Sequence, residues 1–259
     1  MSRTWIVGSA LVAIQIPASP MANEGAATAA PRFKAVAFDF LVLFDPDTVV
    51  SRAEELFPGK GRQLTALWRT RQFEYTWLRS AAHRYVDFSA VTRDALTDSL
   101  NAMNLELTRD QERRLLDAYL HLAPWPDTIG ALQLLKRSGL RIIVLSNFSP
   151  AMLRANAEQA HIIDLIDALV STDENRTYKP DPRAYQLGTD RLHLAKSDIV
   201  FAAFGGWDAA GAKSFGYPTF WLNRANQPTE QLGVDPDWTS PSLDGLLEFV
   251  LPRAKGERR

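Results

Sequence analysis

Four polar stations in this chain could do chemistry together. Asp39 closes the apolar run Lys34-Ala35-Val36-Ala37-Phe38, Ser146-Asn147 closes Leu140 to Leu145, Lys179 sits in Tyr178-Lys179-Pro180-Asp181, and Asp208 follows Trp207. A carboxylate nucleophile needs a neighbouring cation to keep it ionised and oriented, and Lys179 can supply that at ion-pair distance. The Ser146 hydroxyl can hydrogen-bond the same carboxylate or a substrate, and a second carboxylate, Asp208, can position or deprotonate water. Taken singly, each has a plainer reading as a helix cap, a turn or an exposed loop residue. Four of them at successive strand ends favour a site, because ligands of open α/β sheets bind outside the carboxyl ends of the strands.

The elements that must position these groups follow from pattern. Lys34 to Phe38 has the length and apolar continuity of a strand buried on both faces, as in a parallel sheet covered by helices. Residues 46–122 then read as helices without a strand. One runs from Asp45-Pro46-Asp47-Thr48 to Phe57, where Pro58-Gly59-Lys60-Gly61 breaks it. The next is a long one from Gln63 to about Tyr85, followed by Ser89 to Met103 and by Thr108 to Leu122, opened by the capping box Thr108-Arg109-Asp110-Gln111.

After the stiff linker Pro124-Trp125-Pro126-Asp127 the rhythm changes to alternating helices and strands. Strands are expected at Leu140 to Leu145, Ala168 to Val170, Ile199 to Ala203 and Thr219 to Leu222. Helices are expected from Thr128 to the Ser138-Gly139 stop, after Ser149-Pro150 and Asp181-Pro182, from Asp208 to Phe215, and from Leu243 to Leu251. This alternation predicts an α/β fold: a doubly wound, Rossmann-like parallel sheet with an inserted helical cap subdomain over the end where Asp39 emerges. The expected division is residues 31–45 and 123–251 for the core, 46–122 for the cap and 252–259 for a tail.

Composition excludes several classes. The 259 residues are 46% hydrophobic and 23% charged with a formal net charge of −1, so no basic stripe marks a nucleic-acid partner. Cysteine is absent, which removes disulfides, thiolate nucleophiles and cysteine metal sites. Residues 1–30 differ from the rest: Arg3, an apolar stretch from Trp5 to Ile16, then small residues around Ala22 and Ala27-Thr28-Ala29 have the layout of a secretory signal peptide and linker. The expectation is a periplasmic or secreted protein, free of the membrane after cleavage; an N-terminal extension of no targeting value is the competing reading.

The wider set of motifs is more specific than the four stations. Phe38-Asp39 with Leu43-Phe44-Asp45, Ala66-Leu67-Trp68-Arg69, Glu74-Tyr75-Thr76-Trp77-Leu78-Arg79, Arg84-Tyr85-Val86, Leu145-Ser146-Asn147, Tyr178 to Asp181 and Trp207-Asp208-Ala209-Ala210-Gly211-Ala212 together resemble the L-2-haloacid dehalogenases, the metal-free branch of the haloacid dehalogenase superfamily. The resemblance runs from Phe33 to Val250. It implies that Asp39 attacks C2 of a short 2-haloalkanoate and forms an ester that water hydrolyses. It also implies that Arg69 meets the departing halide with Asn147 beside it, that Lys179 holds Asp39, and that Asp208 helps to activate water. Ser146 would bind the substrate carboxylate, Tyr185 would support the site, and Phe73, Phe88 and Trp207 would wall the alkyl group, although ordinary cap packing is a competing reading for Phe73 and Phe88. The implied partners are a small 2-haloacid and halide ion, with no cofactor, no metal and a homodimer as the common assembly.

Two stretches depart from the superfamily pattern. Its first motif usually carries Gly and Thr shortly after the nucleophile, whereas here only Phe40-Leu41-Val42 separates Asp39 from Leu43, one residue short. In the fourth motif the small polar residues are replaced by Ala203-Phe204-Gly205-Gly206. Both changes fall on orienting the ester and its water, which leaves a second reading open: a relative that binds a small carboxylate or another partner without turnover, or that alkylates once and stalls. A magnesium-dependent phosphatase is disfavoured, since it would need acids where Leu41 and Phe204 stand.

Overall fold

The structure is a computed structural model that describes residues 32–251; the expected signal segment and the tail at 252–259 lie outside the described residues. In chain order the elements are β1 (Ala35–Phe38), the single turn α1 (Phe40–Leu43), β2 (Phe44–Asp45), α2 (Asp47–Leu56), α3 (Gly61–Ala81), α4 (Phe88–Ala102), α5 (Arg109–Asp117), β3 (Ala123–Pro124), α6 (Thr128–Arg137), β4 (Arg141–Ser146), α7 (Pro150–Gln159), β5 (Ala168–Ser171), α8 (Pro182–Leu192), β6 (Ile199–Ala203), α9 (Gly206–Phe215), β7 (Thr219–Leu222), β8 (Trp238–Ser240) and α10 (Leu243–Val250).

Six strands form one parallel sheet in the order β5-β4-β1-β6-β7-β8, so β1 lies inside it, paired to β4 and β6. Because side chains alternate across a strand, Val36 and Phe38 enter one core layer, with Leu132, Leu135 and Leu246 of α6 and α10. Ala35 and Ala37 enter the other, with Tyr185 of α8 and Ala209 and Ala212 of α9. The chain is therefore an α/β protein with a doubly wound parallel sheet and a helical cap.

The cap helices bury one stripe each. On α3 the buried positions are Gly61, Leu64, Thr65, Trp68, Gln72 and Thr76, a spacing of three and four, and the indole N–H of fully buried Trp68 donates to the Thr92 carbonyl at 2.7 Å. Gly61 is needed for close approach: a Cβ there would lie 2.3 Å from the Glu54 backbone nitrogen of α2. Gly61 is thus part of α3 rather than a breaker. The two crossings between core and cap run side by side as a short antiparallel ribbon, with Phe44 opposite Pro124 and Asp45 opposite Ala123. Four side-chain bonds tie the cap to the loops at the carboxyl ends of the sheet: Tyr85 Oη to Asp173 Oδ1 at 2.6 Å, Tyr178 Oη to the Val86 carbonyl at 2.6 Å, Ser89 Oγ to Ser149 Oγ at 3.0 Å, and Trp77 Nε1 to the Lys179 carbonyl at 3.3 Å.

Several sequence expectations are corrected. The long helix ends at Ala81 rather than near Tyr85, because His83 takes a left-handed conformation (φ 55°) that turns the chain toward the core. The segment from Thr108 to Leu122 is a helix only to Asp117, followed by a 3-10 turn over Ala118–Leu120, although its capping box is present. Strand β8 was not expected; it is three residues long and only partly buried, so it carries little periodic signal.

Candidate active site

Asp39 leaves the end of β1 as the N-cap of α1, with ordinary extended dihedrals (φ −60°, ψ 144°). Its Oδ2 accepts from the Leu41 backbone N–H at 3.1 Å, while its own N–H donates to the Ala202 carbonyl of β6 at 2.8 Å. The shortened motif therefore still supplies a donor to the carboxylate. It does so through one helical turn, which needs neither a glycine nor a hydroxyl at this place.

Lys179 arrives from the loop between β5 and α8 and joins the two carboxylates. Its Nζ donates to Asp39 Oδ1 and to Asp208 Oδ2, both at 2.8 Å. Burial alone works against the ammonium, but the charges of Asp208 and Asp39 outweigh it and hold the lysine pKa above its ordinary value. Burial pushes Asp208 up to about 6, with Lys179 opposing and Asp39 adding to the rise. The Tyr185 hydroxyl donates to Asp208 Oδ1 at 2.7 Å, and is itself fixed by the Tyr217 hydroxyl donating to the Tyr185 carbonyl at 2.7 Å. Burial, then the Asp208 charge, raises the Tyr185 phenol well above its usual range, so it stays a donor.

Asn147 follows β4. Its Oδ1 accepts from the Lys179 backbone N–H at 3.0 Å and from Thr172 Oγ1 at 3.2 Å, so its amide NH2 is the end left for the cavity. The Ser146 oxygen accepts from the Phe148 N–H at 3.2 Å, leaving the hydroxyl proton to donate elsewhere.

These groups border a cavity of about 190 Å³ between sheet and cap, large enough for a small organic acid. Asp39, Asp208, Ser146, Asn147, Arg69, Phe73, Phe88 and Trp207 all line it, whereas Lys179 and Tyr185 stand behind the carboxylates rather than on its surface. The cap contributes Arg69, Gln72 and Phe73 from one face of α3, at helical spacing. Phe73 meets Trp207 edge-on at 5.3 Å, and Phe88 stacks on Phe148 at 5.0 Å. Leu41 and Phe204 line the cavity as hydrocarbon, a donor set unsuited to a hard cation.

Sequence reasoning missed Gln72, Tyr119, Phe148 and Gly205 as lining residues. Gln72 was within reach, three positions after Arg69 on the same helical face. Its Oε1 accepts from Tyr119 at 3.0 Å and its Nε2 donates to Thr92 Oγ1 at 3.0 Å. Tyr119 belongs to the 3-10 turn that replaces the end of an expected helix, so no periodicity aimed it. Burial pushes its phenol up to about 12, and the Arg69 charge acts in the opposite direction.

Comparison with known proteins gives the family. Residues 25–216 match the family of haloacid dehalogenase-like hydrolases. Over 227 residues, covering 87% of this chain and 98% of the relative, the chain is 44% identical to the (S)-2-haloacid dehalogenase of Pseudomonas sp. (strain YL). Over 220 residues, 85% of this chain and 98% of the relative, it is 36% identical to haloacetate dehalogenase H-2 of Moraxella sp. (strain B). The structure of the L-2-haloacid dehalogenase from Xanthobacter autotrophicus with chloropropionic acid covalently bound superimposes with a TM-score of 0.79 at 32% identity, covering 84% of this chain and 98% of that one. The chain belongs to the haloacid dehalogenase-like hydrolases and, among them, to the 2-haloacid dehalogenases.

Proposed function

We propose that this protein hydrolyses short 2-haloalkanoic acids to 2-hydroxy acids through an ester on Asp39. The observation that carries this reading is the Asp39–Lys179–Asp208 bridge placed against a small apolar cavity that also holds Arg69 and the free amide of Asn147. In the first step an Asp39 carboxylate oxygen attacks C2 of the acid. The carbon–halogen bond breaks, its electron pair leaves on the halide, and an aspartyl ester forms. The guanidinium of Arg69 and the Asn147 amide supply positive charge and N–H donors for the leaving anion, and Ser146 donates to the substrate carboxylate.

In the second step water adds to the Asp39 carboxyl carbon. Asp208 takes one of its protons, the ester C–O bond breaks, and the 2-hydroxy acid leaves with the other on its new hydroxyl as the Asp39 carboxylate is restored; Asp208 then gives its proton to solvent. A base titrating near neutrality suits this task. Phe73, Phe88 and Trp207 keep the alkyl group out of water, and Lys179 and Tyr185 hold the two carboxylates in register.

A second reading has one observation in its favour. The loop Ala203 to Gly206, beside Asp208, carries no polar side chain to help place the water. On that reading the protein alkylates once and stalls, or binds a small carboxylate without turnover. Halide release from L-2-chloropropionate and bromoacetate, without added metal and beside Asp39→Asn, decides the matter when read with intact mass. Sustained release that disappears in Asp39→Asn supports the enzyme. One equivalent of halide with a mass gain on the protein supports the stalled form, and the absence of both halide and adduct overturns the reading for these substrates.

The same proposal includes export to the periplasm or medium, from the layout of residues 1–30, and a homodimer. Trp77 and Leu78 of α3, 39% and 65% exposed, offer an apolar surface for a second copy. Among the described residues no helix is long and apolar enough to cross a membrane. Cell fractionation and sedimentation test the two points.

A further inference from the structure

The geometry points to Gly205 as the residue that sets how long a 2-haloacid the cavity accepts, by giving the Trp207 indole the space where a side chain at position 205 would stand. This inference rests on the proposed reaction for its substrate class, but its structural basis is separate. Gly205 has φ −89° and ψ 143°, extended backbone open to any residue, so conformational freedom does not require a glycine there. Space does. A Cβ on residue 205 would lie 2.7 Å from Trp207 Nε1, 3.1 Å from Cδ1 and 3.4 Å from Cε2, so the pyrrole edge of the indole lies across the glycine.

The ring has little room to retreat toward the cap. Trp207 packs edge-on against Phe73 at 5.3 Å and against Trp77 at 5.7 Å, and those two rings stack on each other at 5.7 Å. Trp77 is in turn tied to the core by its N–H on the Lys179 carbonyl at 3.3 Å. Gly205 and Trp207 both border the cavity, so an indole pushed off residue 205 moves into the volume that holds the alkyl chain. In a site of about 190 Å³ a shift of methyl size is felt as one methylene of substrate.

The test uses the full chain as wild type, Gly205→Ala, Trp207→Phe and the double variant, with kcat/KM for bromoacetate, 2-bromopropionate and 2-bromobutyrate. In Gly205→Ala the butyrate-to-acetate ratio falls about 10-fold or more, the discrimination that one methylene gives in an apolar pocket. In Trp207→Phe, whose smaller ring leaves space, the ratio rises, and adding Gly205→Ala to it has no further effect, the non-additivity expected of two residues sharing one contact. Equal losses on all three acids, or the same Gly205→Ala effect in both backgrounds, overturns the inference. Calorimetric binding of acetate, propionate, butyrate and valerate reads the same chain-length shift without turnover. A wild type that releases no halide yet shows that shift sinks the reaction and keeps the inference, whereas turnover with no shift sinks the inference alone.

Discussion

Lys179 Nζ stands 2.8 Å from Asp208 Oδ2, and both side chains are 1% exposed. The pair is shielded from bulk solvent, while Asp39, the other partner of the same ammonium, is 16% exposed. One cation thus serves two carboxylates, and removing it leaves a buried carboxylate with only the Tyr185 hydroxyl and its own surroundings. Lys179→Met is expected to cost about 3–5 kcal/mol, the usual loss when one member of a buried ion pair is removed. For a domain of this size that lowers Tm by roughly 6–20 °C. The loss shrinks as pH falls, because Asp208 without Lys179, which holds its pKa down in the wild type, takes up a proton more readily. A melting-temperature deficit that is the same on both sides of neutrality would show that packing, not charge, explains it.

Tyr185 supplies the next prediction. Its hydrogen bond lowers the Asp208 pKa against the larger effect of burial, so Tyr185→Phe moves that pKa upward from about 6. A base must be ionised to accept a proton from water, so kcat in the wild type falls as pH drops through about 6, and in Tyr185→Phe the acid limb moves to higher pH by about one unit, the value of one hydrogen bond to a charged group. The profile of kcat for halide release checks it, and a limb that stays in place removes Tyr185 from the control of Asp208. Stability runs the other way. Since the folded pKa of Asp208 is raised above its unfolded value, its contribution is fully present below the unfolded pKa near 3.8 and is lost as pH rises through about 6.

The parts of this site that the sequence displays are those whose position follows from local periodicity. Asp39, Ser146 and Asn147 end apolar runs, and a parallel sheet sends all such ends to one edge, so their meeting could be anticipated from pattern alone. Arg69 and Phe73 share a face of α3 for the same kind of reason. What pattern could not supply is the path of irregular chain. The Leu41 N–H that serves Asp39 depends on α1 being one helical turn within a run that is apolar throughout. Tyr119 reaches the cavity because α5 yields to a 3-10 turn, and the Trp207 indole lies where a Cβ on residue 205 would stand, a placement set by the path of the loop.

Arg69 separates catalysis from stability. It lines the cavity but belongs to none of the ion pairs found among the described residues, so the fold does not depend on its charge. Arg69→Leu is expected to lower kcat/KM for chloropropionate by about 10²–10³, the effect of removing one preorganised group from a developing anion. Its unfolding free energy should stay within about 0.5 kcal/mol of wild type. Arg69→Lys regains part of the activity, as a point charge without the planar fork. Parallel losses of activity and stability in Arg69→Leu would mean that the guanidinium organises the cap rather than the halide.

Asp208→Asn tests the division of the reaction into two halves. The asparagine keeps the shape of the side chain and an oxygen for the Lys179 ammonium, while Asp39 keeps its bonds to Lys179 and Leu41. Alkylation by Asp39 therefore continues, but the water has lost its base, and the aspartyl ester accumulates. The expected record is a burst of about one equivalent of halide per protein, as a covalent intermediate requires, followed by turnover slowed by about 10²–10⁴, with one alkanoate added to the protein mass. Peptide mapping should place that mass on Asp39. If halide release instead stops before one equivalent, Asp208 is needed for the attack itself. The bridge through Lys179 would then serve to orient the nucleophile, and the base for the second step would have to be sought among the other groups that line the cavity.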